Sequence, residues 1–213
     1  MRLSIKIIVL FLMLTAVCQE LTAQYYRNYS SFTPVKNNTI KRFDTLRVGQ
    51  CYDLDNATAI GVIFRYWLVD MWIGVFKNNR TSEPAAVFDT VNVSDSTRLY
   101  FYRTQNPSDG VIIIWESRYI FDSELRAYLF RNGTVKKMGR LDIDLEDAFE
   151  TNVYYPVSKI KMTTDGKRII FSFMEPVKFR LRESLDPKDF YYLYDGVGLL
   201  TPVVRGKVTI PAW

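Results

Sequence analysis

The residues best suited to chemistry form a short alternating segment near the middle of the chain. They are Asp142, Asp144 and Glu146, and an apolar residue precedes each of them. On a β-strand this spacing places all three carboxylates on one face. Three clustered carboxylates could supply oxygen ligands to Ca²⁺. The same alternation is typical of an amphipathic strand whose polar face meets water, and the lack of a following glycine-turned calcium loop favours that interpretation.

A second set of carboxylates lies close to aromatic residues in the sequence. Its members are Asp70, Glu116, Glu124, Glu175 and Asp195. Two carboxyl groups at a fixed separation are sufficient for glycoside hydrolysis, which needs no histidine. Position in the sequence does not set the distance between these groups in the fold. A carboxylate-dependent glycoside hydrolase is therefore an alternative hypothesis for the function.

Histidine is absent from the chain, and cysteine is nearly so. The absence of histidine excludes Ser-His-Asp and Cys-His catalysis as well as histidine-ligated zinc and haem. Of the two cysteines, Cys18 lies in an N-terminal segment that we expect to be removed. Cys51 is then alone in the mature chain, so no intrachain disulfide can form. We expect its thiol to be buried, and pairing with another chain is the alternative. Apart from Ca²⁺, the sequence predicts no cofactor.

The first 23 residues have the organisation of a signal peptide. Arg2 and Lys6 form a basic start, residues 7–17 are almost wholly apolar, and Ala23 provides a small residue before the cleavage point. The apolar run is too short to cross a bilayer, and no later segment approaches spanning length. We therefore expect an exported mature chain, residues 24–213, with no membrane span.

The mature chain carries a small positive charge. Removing the signal peptide takes two of the 28 basic residues and one of the 23 acidic residues, so that 26 minus 22 leaves a net charge of +4. The basic residues are scattered along the sequence rather than gathered in one run. We therefore expect no nucleic acid partner.

Six Asn-x-Ser/Thr triplets mark candidate sites of N-glycosylation. Their asparagines are Asn28, Asn37, Asn56, Asn79, Asn92 and Asn132. This number exceeds what the composition would give by chance and favours a secreted eukaryotic glycoprotein. A bacterial periplasmic protein with asparagine-rich turns is the alternative.

Short runs of β-branched and aromatic residues, separated by turn residues, predict β-strands from Val62 onward. The strongest hairpin predictions are the turns at Asn132-Gly133 and Asp165-Gly166, because these pairs readily adopt the positive φ angles of tight turns.

The chain is predicted to contain one domain. Residues 24–47 are polar and suit an extended lead-in, whereas residues 48–213 suit a single all-β domain. Residues 186–196 are compatible with a short helix that starts at Asp186-Pro187, and equally with a strand over residues 190–194.

Two segments are similar to hemopexin-like repeats. In the first, Phe88-Asp89-Thr90-Val91 precedes Leu99-Tyr100-Phe101-Tyr102; in the second, residues 165–173 precede residues 178–181. The resemblance implies a small four-bladed β-propeller. That family usually ties its first and last blades with a disulfide, for which Cys51 has no mate. A sandwich or barrel of antiparallel strands is the other architecture that the pattern allows.

By elimination, these features favour a secreted, N-glycosylated, non-catalytic binding protein that acts outside the cell on a protein or carbohydrate partner. The alternatives are the extracellular glycoside hydrolase and a bacterial periplasmic binding module.

Overall fold

Alternating β-branched and aromatic residues form antiparallel strands throughout the part of the chain that can be described. The computed structural model describes residues 29–35, 47–64, 70–77, 85–92, 96–118, 123–145, 155–179 and 184–208. The predicted signal peptide and the sequon asparagines Asn28, Asn37 and Asn79 lie outside these residues. The prediction of an all-β fold is confirmed.

The described residues contain strands and two short 3-10 helices, Pro107–Asp109 and Val157–Lys159. In chain order the strands are β1 (Ser30–Ser31), β2 (Thr33–Pro34), β3 (Arg47–Asp53), β4 (Thr58–Phe64), β5 (Asp70–Lys77), β6 (Ala86–Asn92), β7 (Ser96–Arg103), β8 (Val111–Arg118), β9 (Ser123–Arg131), β10 (Thr134–Arg140), β11 (Ile143–Leu145), β12 (Ile160–Thr164), β13 (Ile169–Phe173), β14 (Val177–Phe179), β15 (Ser184–Leu185), β16 (Phe190–Tyr194), β17 (Thr201–Val204) and β18 (Lys207–Val208). Among these residues no helix has the length and apolar character needed to cross a membrane.

The strands form four open antiparallel sheets. The first sheet has the order β3-β4-β5-β6, and the middle sheet has the order β10-β9-β8-β7-β2. The C-terminal sheet has the order β1-β12-β13-β16-β17-β18, and a small sheet has the order β11-β14-β15. Within the described residues none of them closes on itself, an arrangement compatible with a β-sandwich.

The middle sheet is buried on both faces. On β9, Leu125, Ala127 and Leu129 join the core shared with the C-terminal sheet. The intervening Tyr128 and Phe130 join a second core shared with the first sheet. Since side chains alternate between the faces of a strand, β9 takes part in both cores, and the middle sheet separates them.

The lead-in crosses from one sheet to another. Strand β1 pairs with β12 of the C-terminal sheet, and β2 pairs with β7 of the middle sheet. Phe32 lies between the two strands, is 7% exposed, and donates its backbone N–H to the carbonyl oxygen of Met162 at 2.9 Å. The ring is buried in the core between the middle and C-terminal sheets. This burial explains why the polar lead-in is fixed to both sheets.

Both predicted hairpins are present. Asn132 and Gly133 have φ of 52° and 72° and join β9 to β10 in a two-residue turn. Gly166 has φ of 87° in the turn between β12 and β13.

Residues 190–194 form β16, so the alternative of a short helix there was wrong. The 186–189 segment is a turn in which the Asp189 N–H donates to the Asp186 carbonyl at 2.9 Å.

Candidate functional site

A cluster of charged side chains joins the first sheet to the middle sheet, and Arg126 on β9 lies at its centre. Nη1 of Arg126 donates to Oδ1 of Asp89 at 2.7 Å and to the carbonyl of Thr90 at 2.9 Å, both on β6. Its Nε and Nη2 donate to the two carboxylate oxygens of Glu124 at 2.6 and 3.0 Å. One guanidinium therefore binds two carboxylates and a backbone carbonyl from two sheets. We call Asp89, Glu124, Arg126, Tyr128 and Lys137 the inter-sheet cluster.

Asp89 receives two further partners from the middle sheet. Its Oδ2 accepts the Tyr128 hydroxyl at 2.6 Å and lies 2.9 Å from Nζ of Lys137. The side chain of Asp89 is only 9% exposed. Burial of a carboxylate is costly unless it is paired and hydrogen-bonded, and here both oxygens are.

Trp115 supports the cluster from the neighbouring strand. It lies opposite Arg126 in the register of β8 and β9, and the guanidinium carbon lies 5.8 Å from the centre of its ring. The indole is 1% exposed, and its N–H donates to the hydroxyl of Thr97. A cation over a buried indole is a favourable arrangement that also fixes the guanidinium plane.

The local sequence explains how the cluster assembles. Glu124, Arg126 and Tyr128 alternate along β9, so all three side chains point to the face covered by the first sheet. Asp89 comes from β6, which ends that sheet. The cluster thus combines alternate residues of β9 with a single acidic residue of β6.

The surroundings shift the pKa values of the cluster. Burial raises the pKa of Asp89, but hydrogen bonds from Tyr128 and Lys137 and the charges of Arg126 and Lys137 outweigh it, and the pKa lies below its ordinary value. Burial and the bond to Asp89 raise the pKa of Tyr128. Burial lowers the pKa of Arg126, but Glu124 and Asp89 more than compensate, so it is raised. All three groups therefore keep their usual charge states at neutral pH.

Asp89 is expected to make the protein sensitive to acid. Its pKa is lower in the folded than in the unfolded state, so the unfolded chain binds the proton more tightly. The resulting stabilisation is complete above the ordinary aspartate pKa of about 3.9 and is lost as the pH falls through the folded-state value. Urea unfolding from neutral pH to about pH 2 should show this loss. The Asp89→Asn variant should lose less stability over the same range; an identical slope would contradict the assignment.

Glu116 lies in a separate cluster on the other face of the middle sheet. It is 3% exposed, and its Oε2 accepts the Tyr100 hydroxyl at 2.8 Å. Arg118 donates from Nε and Nη2 to Oε1 at 3.1 and 2.8 Å. Burial and the bond to Glu116 raise the pKa of Tyr100, and burial with the charges of Tyr100 and Glu116 raises that of Tyr102 to about 12. Tyr100 is therefore a protonated donor to the buried carboxylate.

The two buried glutamates among the hydrolase candidates do not face each other. Glu116 is opposite Leu125 in the register of β8 and β9, and Leu125 belongs to the core shared with the C-terminal sheet. Glu124 precedes Leu125, so its side chain points to the other face, where Arg126 holds it. A backbone layer therefore separates the two carboxylates, which excludes a shared cleft between them.

The other hydrolase candidates lie elsewhere. Glu175, in the turn after β13, forms an ion pair with Lys159. Asp195 follows β16, and its Oδ1 accepts the N–H groups of Val197 and Gly198, both at 2.9 Å. Asp70 begins β5, and its side chain lies outside the described part.

The candidate calcium ligands are only partly described. Leu141 and Ile143 are buried while Asp142 and Asp144 are half-buried, which is the alternation expected of an amphipathic strand. Asp142 lies 3.2 Å from the guanidinium of Arg140. Glu146 lies outside the described residues, and among those described no group of three or more His, Cys, Asp or Glu side chains is placed to hold a metal ion. A calcium site stays a prediction.

Two of the six sequons present exposed asparagines. Asn56 lies in the turn between β3 and β4, and Asn132 lies in the β9–β10 turn. Asn92 ends β6, and its side chain lies outside the described part.

The lone cysteine of the predicted mature chain, Cys51, lies on β3 opposite Gly61. The surroundings of its thiol lie outside the described part of the chain.

Sequence analysis missed the loop of residues 195–200 between β16 and β17. It exposes Val197 by 79% and Leu199 by 57%, the largest values among the exposed large hydrophobic residues of the described part. The pattern Gly-Val-Gly-Leu is apolar and glycine-rich, and a search for apolar residues beside glycines would have singled it out.

No protein-family model, curated protein or solved structure matches this chain. The functional argument therefore depends on the geometry of the clusters and of the surface.

Proposed function

We propose that the mature chain is an exported, N-glycosylated binding protein without catalytic activity, acting on a protein or carbohydrate partner outside the cell. The observation that carries the proposal is the placement of Glu116 and Glu124 on opposite faces of the middle sheet. Each is held by an arginine, and Glu116 also by a tyrosine. Both carboxylates are thereby engaged by side chains of the sheet, whereas a glycosidase needs two carboxyls that face one sugar.

The same placement argues against the hydrolase alternative. A glycosidase needs two carboxyls about 5 to 9.5 Å apart on either side of one sugar. Of the candidates outside the middle sheet, Glu175 and Asp195 belong to turns, where Glu175 is paired with Lys159 and Asp195 accepts backbone N–H groups. These contacts give each of the two carboxylates a structural role in its turn.

Exposed sequons support the glycoprotein part of the proposal. Asn56 and Asn132 lie in turns, where an attached glycan meets solvent without disturbing a sheet. Lys77 connects the two turns, since its Nζ donates to the Gly133 carbonyl at 2.9 Å and to the Thr58 hydroxyl at 3.3 Å. Glycans at both positions would leave from neighbouring turns and cover the adjacent surface.

Glycosylation is tested by expression in a eukaryotic secretory system. We expect the secreted protein to migrate faster on a gel after treatment with peptide N-glycosidase. Thr134→Ala should remove one step of this shift, because it destroys the Asn132 sequon while keeping the asparagine that the positive φ of the turn favours. Thr134 is exposed, so the change should leave the fold intact.

The control is Thr104→Ala, which alters a threonine outside any sequon and should keep the full shift. A wild-type protein that shows no shift would contradict the glycoprotein and favour the periplasmic module. Turnover of chromogenic glycosides that Glu116→Gln or Glu124→Gln abolishes, with the fold retained, would overturn the non-catalytic assignment.

A further inference from the structure

The lead-in is the outer strand of two sheets at once. Strand β1 lies at the end of the C-terminal sheet beside β12, and β2 lies at the end of the middle sheet beside β7. Neither of them has a second neighbour among the described strands. Residues 29–35, which we call the strap, can therefore leave while β12 keeps its pairing with β13 and β7 keeps its pairing with β8.

Backbone hydrogen bonds hold the strap to both sheet edges. The Phe32 N–H donates to the Met162 carbonyl of β12 at 2.9 Å, and the Val35 N–H donates to the Phe101 carbonyl of β7 at 2.8 Å. An extended segment is added to a free sheet edge through main-chain bonds of this kind. We call the two edges, together with the core position that the Phe32 ring fills, the acceptor site.

Two apolar side chains fix the position of the strap in the acceptor site. Phe32 belongs to the core shared by the middle and C-terminal sheets. Val35 is half-buried and packs against the core shared by the first and middle sheets. The strap therefore has one anchor on each face of the middle sheet. The acceptor site selects an extended segment in which an aromatic residue is followed three positions later by an aliphatic residue.

The strap is held more weakly than the strands inside the sheets. Its two strands have two residues each, whereas β7 has eight and β12 has five. Within residues 29–35, Phe32 is the only buried residue. A segment with short pairings and few buried side chains opens at a lower free energy than the whole fold does. We therefore expect the strap to detach while both cores stay folded.

A second copy of the chain offers an identical strap. The fit of that strap to the acceptor site is shown by the strap already bound there. Residues 36–46 connect the strap to β3, and eleven residues extend to at most about 40 Å. The strap can therefore reach a neighbouring molecule. Exchange makes the same contacts in both molecules, and this makes it a low-cost route to a dimer.

We propose that two copies of this protein exchange their straps, so that the Phe32 ring of each copy fills the acceptor site of the other. The tethered strap competes for its own acceptor site at the effective concentration that the connecting chain sets. The exchanged dimer therefore replaces the monomer as the protein concentration rises towards about 1 mM. The inference goes beyond the proposed function and does not depend on glycosylation or on the absence of catalysis.

Disulfide trapping tests the proposal on the full mature chain. Ser31 lies opposite Thr163 in the register of β1 and β12. Because the next pair, Phe32 and Met162, is hydrogen-bonded, Ser31 and Thr163 form a non-hydrogen-bonded pair, in which side chains lie closer together. A Ser31→Cys chain and a Thr163→Cys chain, both also carrying Cys51→Ser, are mixed at about 1 mM and oxidised. We expect a covalent heterodimer, since exchange brings the two introduced thiols together.

The register of the strap is verified with both substitutions in one chain. At micromolar concentration this chain should close an intrachain disulfide and stay monomeric. If no intrachain disulfide forms, the strap does not occupy the acceptor site as described, and the proposal is overturned.

The matched control mixes the Ser31→Cys chain with a Thr134→Cys chain, again in the Cys51→Ser background. Thr134 is exposed but lies in the β9–β10 hairpin, outside the acceptor site. This mixture should give only the heterodimer that forms by random collision of exposed thiols. Equal amounts of heterodimer in the two mixtures would overturn the proposal.

A synthetic peptide of residues 24–36 competes with the exchanged strap for the acceptor site. In excess it should lower the yield of the Ser31→Cys and Thr163→Cys heterodimer about tenfold, because burial of a phenylalanine side chain contributes at least that factor to binding. The same peptide with Phe32→Ala should leave the yield unchanged. Equal suppression by both peptides, or by neither, would contradict the role of the Phe32 ring and overturn the proposal. The gel shift that tests glycosylation is unaffected by any of these results.

Discussion

Arg126→Ala is expected to destabilise the protein by about 2 to 3 kcal/mol, because Asp89 keeps Lys137 and Glu124 keeps Arg140 as partners. The substitution would leave Asp89 and Glu124, each with a side chain only 9% exposed, without the guanidinium that pairs with both. Removing one partner of a buried ion pair costs more than the pair itself contributes, because the charges left behind are poorly solvated. Urea unfolding monitored by tryptophan fluorescence at neutral pH measures the change.

Arg168→Ala provides the control for this prediction. Arg168 pairs with Asp165 at a similar distance, 2.8 Å, but its side chain is 54% exposed. An exposed pair contributes at most about 1 kcal/mol. If Arg126→Ala cost no more than Arg168→Ala, the inter-sheet cluster would have no special structural role.

Gly110→Ala is expected to cost at least about 3 kcal/mol or to prevent folding. Gly110 follows the 3-10 helix at Pro107–Asp109 with φ of 86° and ψ of −162°, a conformation that residues with a side chain rarely adopt. A Cβ there would lie 2.3 Å from the carbonyl oxygen of Phe130, which is backbone and cannot rotate away. Strain and overlap therefore act together.

Gly166→Ala separates the two effects. Its φ of 87° matches that of Gly110, but a Cβ there would meet nothing within 4 Å. Only the backbone strain applies, at about 1 to 2 kcal/mol. Thermal unfolding of the two variants should show the larger loss for Gly110→Ala. Equal losses would mean that the β8–β9 pairing next to Phe130 yields easily to the added methyl group.

Local features of the fold could be predicted from the sequence. The turns at Asn132-Gly133 and Asp165-Gly166 were predicted because these residue types readily adopt positive φ angles. Runs of β-branched residues predicted the neighbouring strands. A similar turn at Arg205-Gly206 could not be predicted, because Arg205 adopts φ of 49° without being a residue that favours it. The Arg205 N–H donates to the Asp189 carbonyl at 2.5 Å, a tertiary contact that accompanies this conformation.

The inter-sheet cluster could not be predicted, because its members are distant in sequence. Asp89 and Arg126 are 37 residues apart, and nothing in either neighbourhood specifies that β6 packs over β9. The opposite orientations of Glu116 and Glu124 depend on the register of β8 and β9, which sequence alone leaves open. Apolar alternation on β9 indicates a two-sided strand but does not say which sheet covers which face.

The lead-in and the repeats illustrate the same limit. The polar residues of β1 and β2 gave no reason to expect pairing with two different sheets. The segments that resemble hemopexin-like repeats at residues 88–91 and 99–102 lie on β6 and β7, which belong to different sheets. The resemblance stays a prediction.

A double-mutant cycle on Asp89 and Arg126 tests most directly whether charged residues of the middle sheet hold the sheets together rather than carry out chemistry. It compares the free energies of unfolding of Asp89→Ala, Arg126→Ala and the double variant with that of the wild type. We predict that the two losses are far from additive, with a coupling of about 1 to 3 kcal/mol. Additivity within about 0.3 kcal/mol would show that these side chains act independently, and would contradict the structural role assigned to the carboxylates.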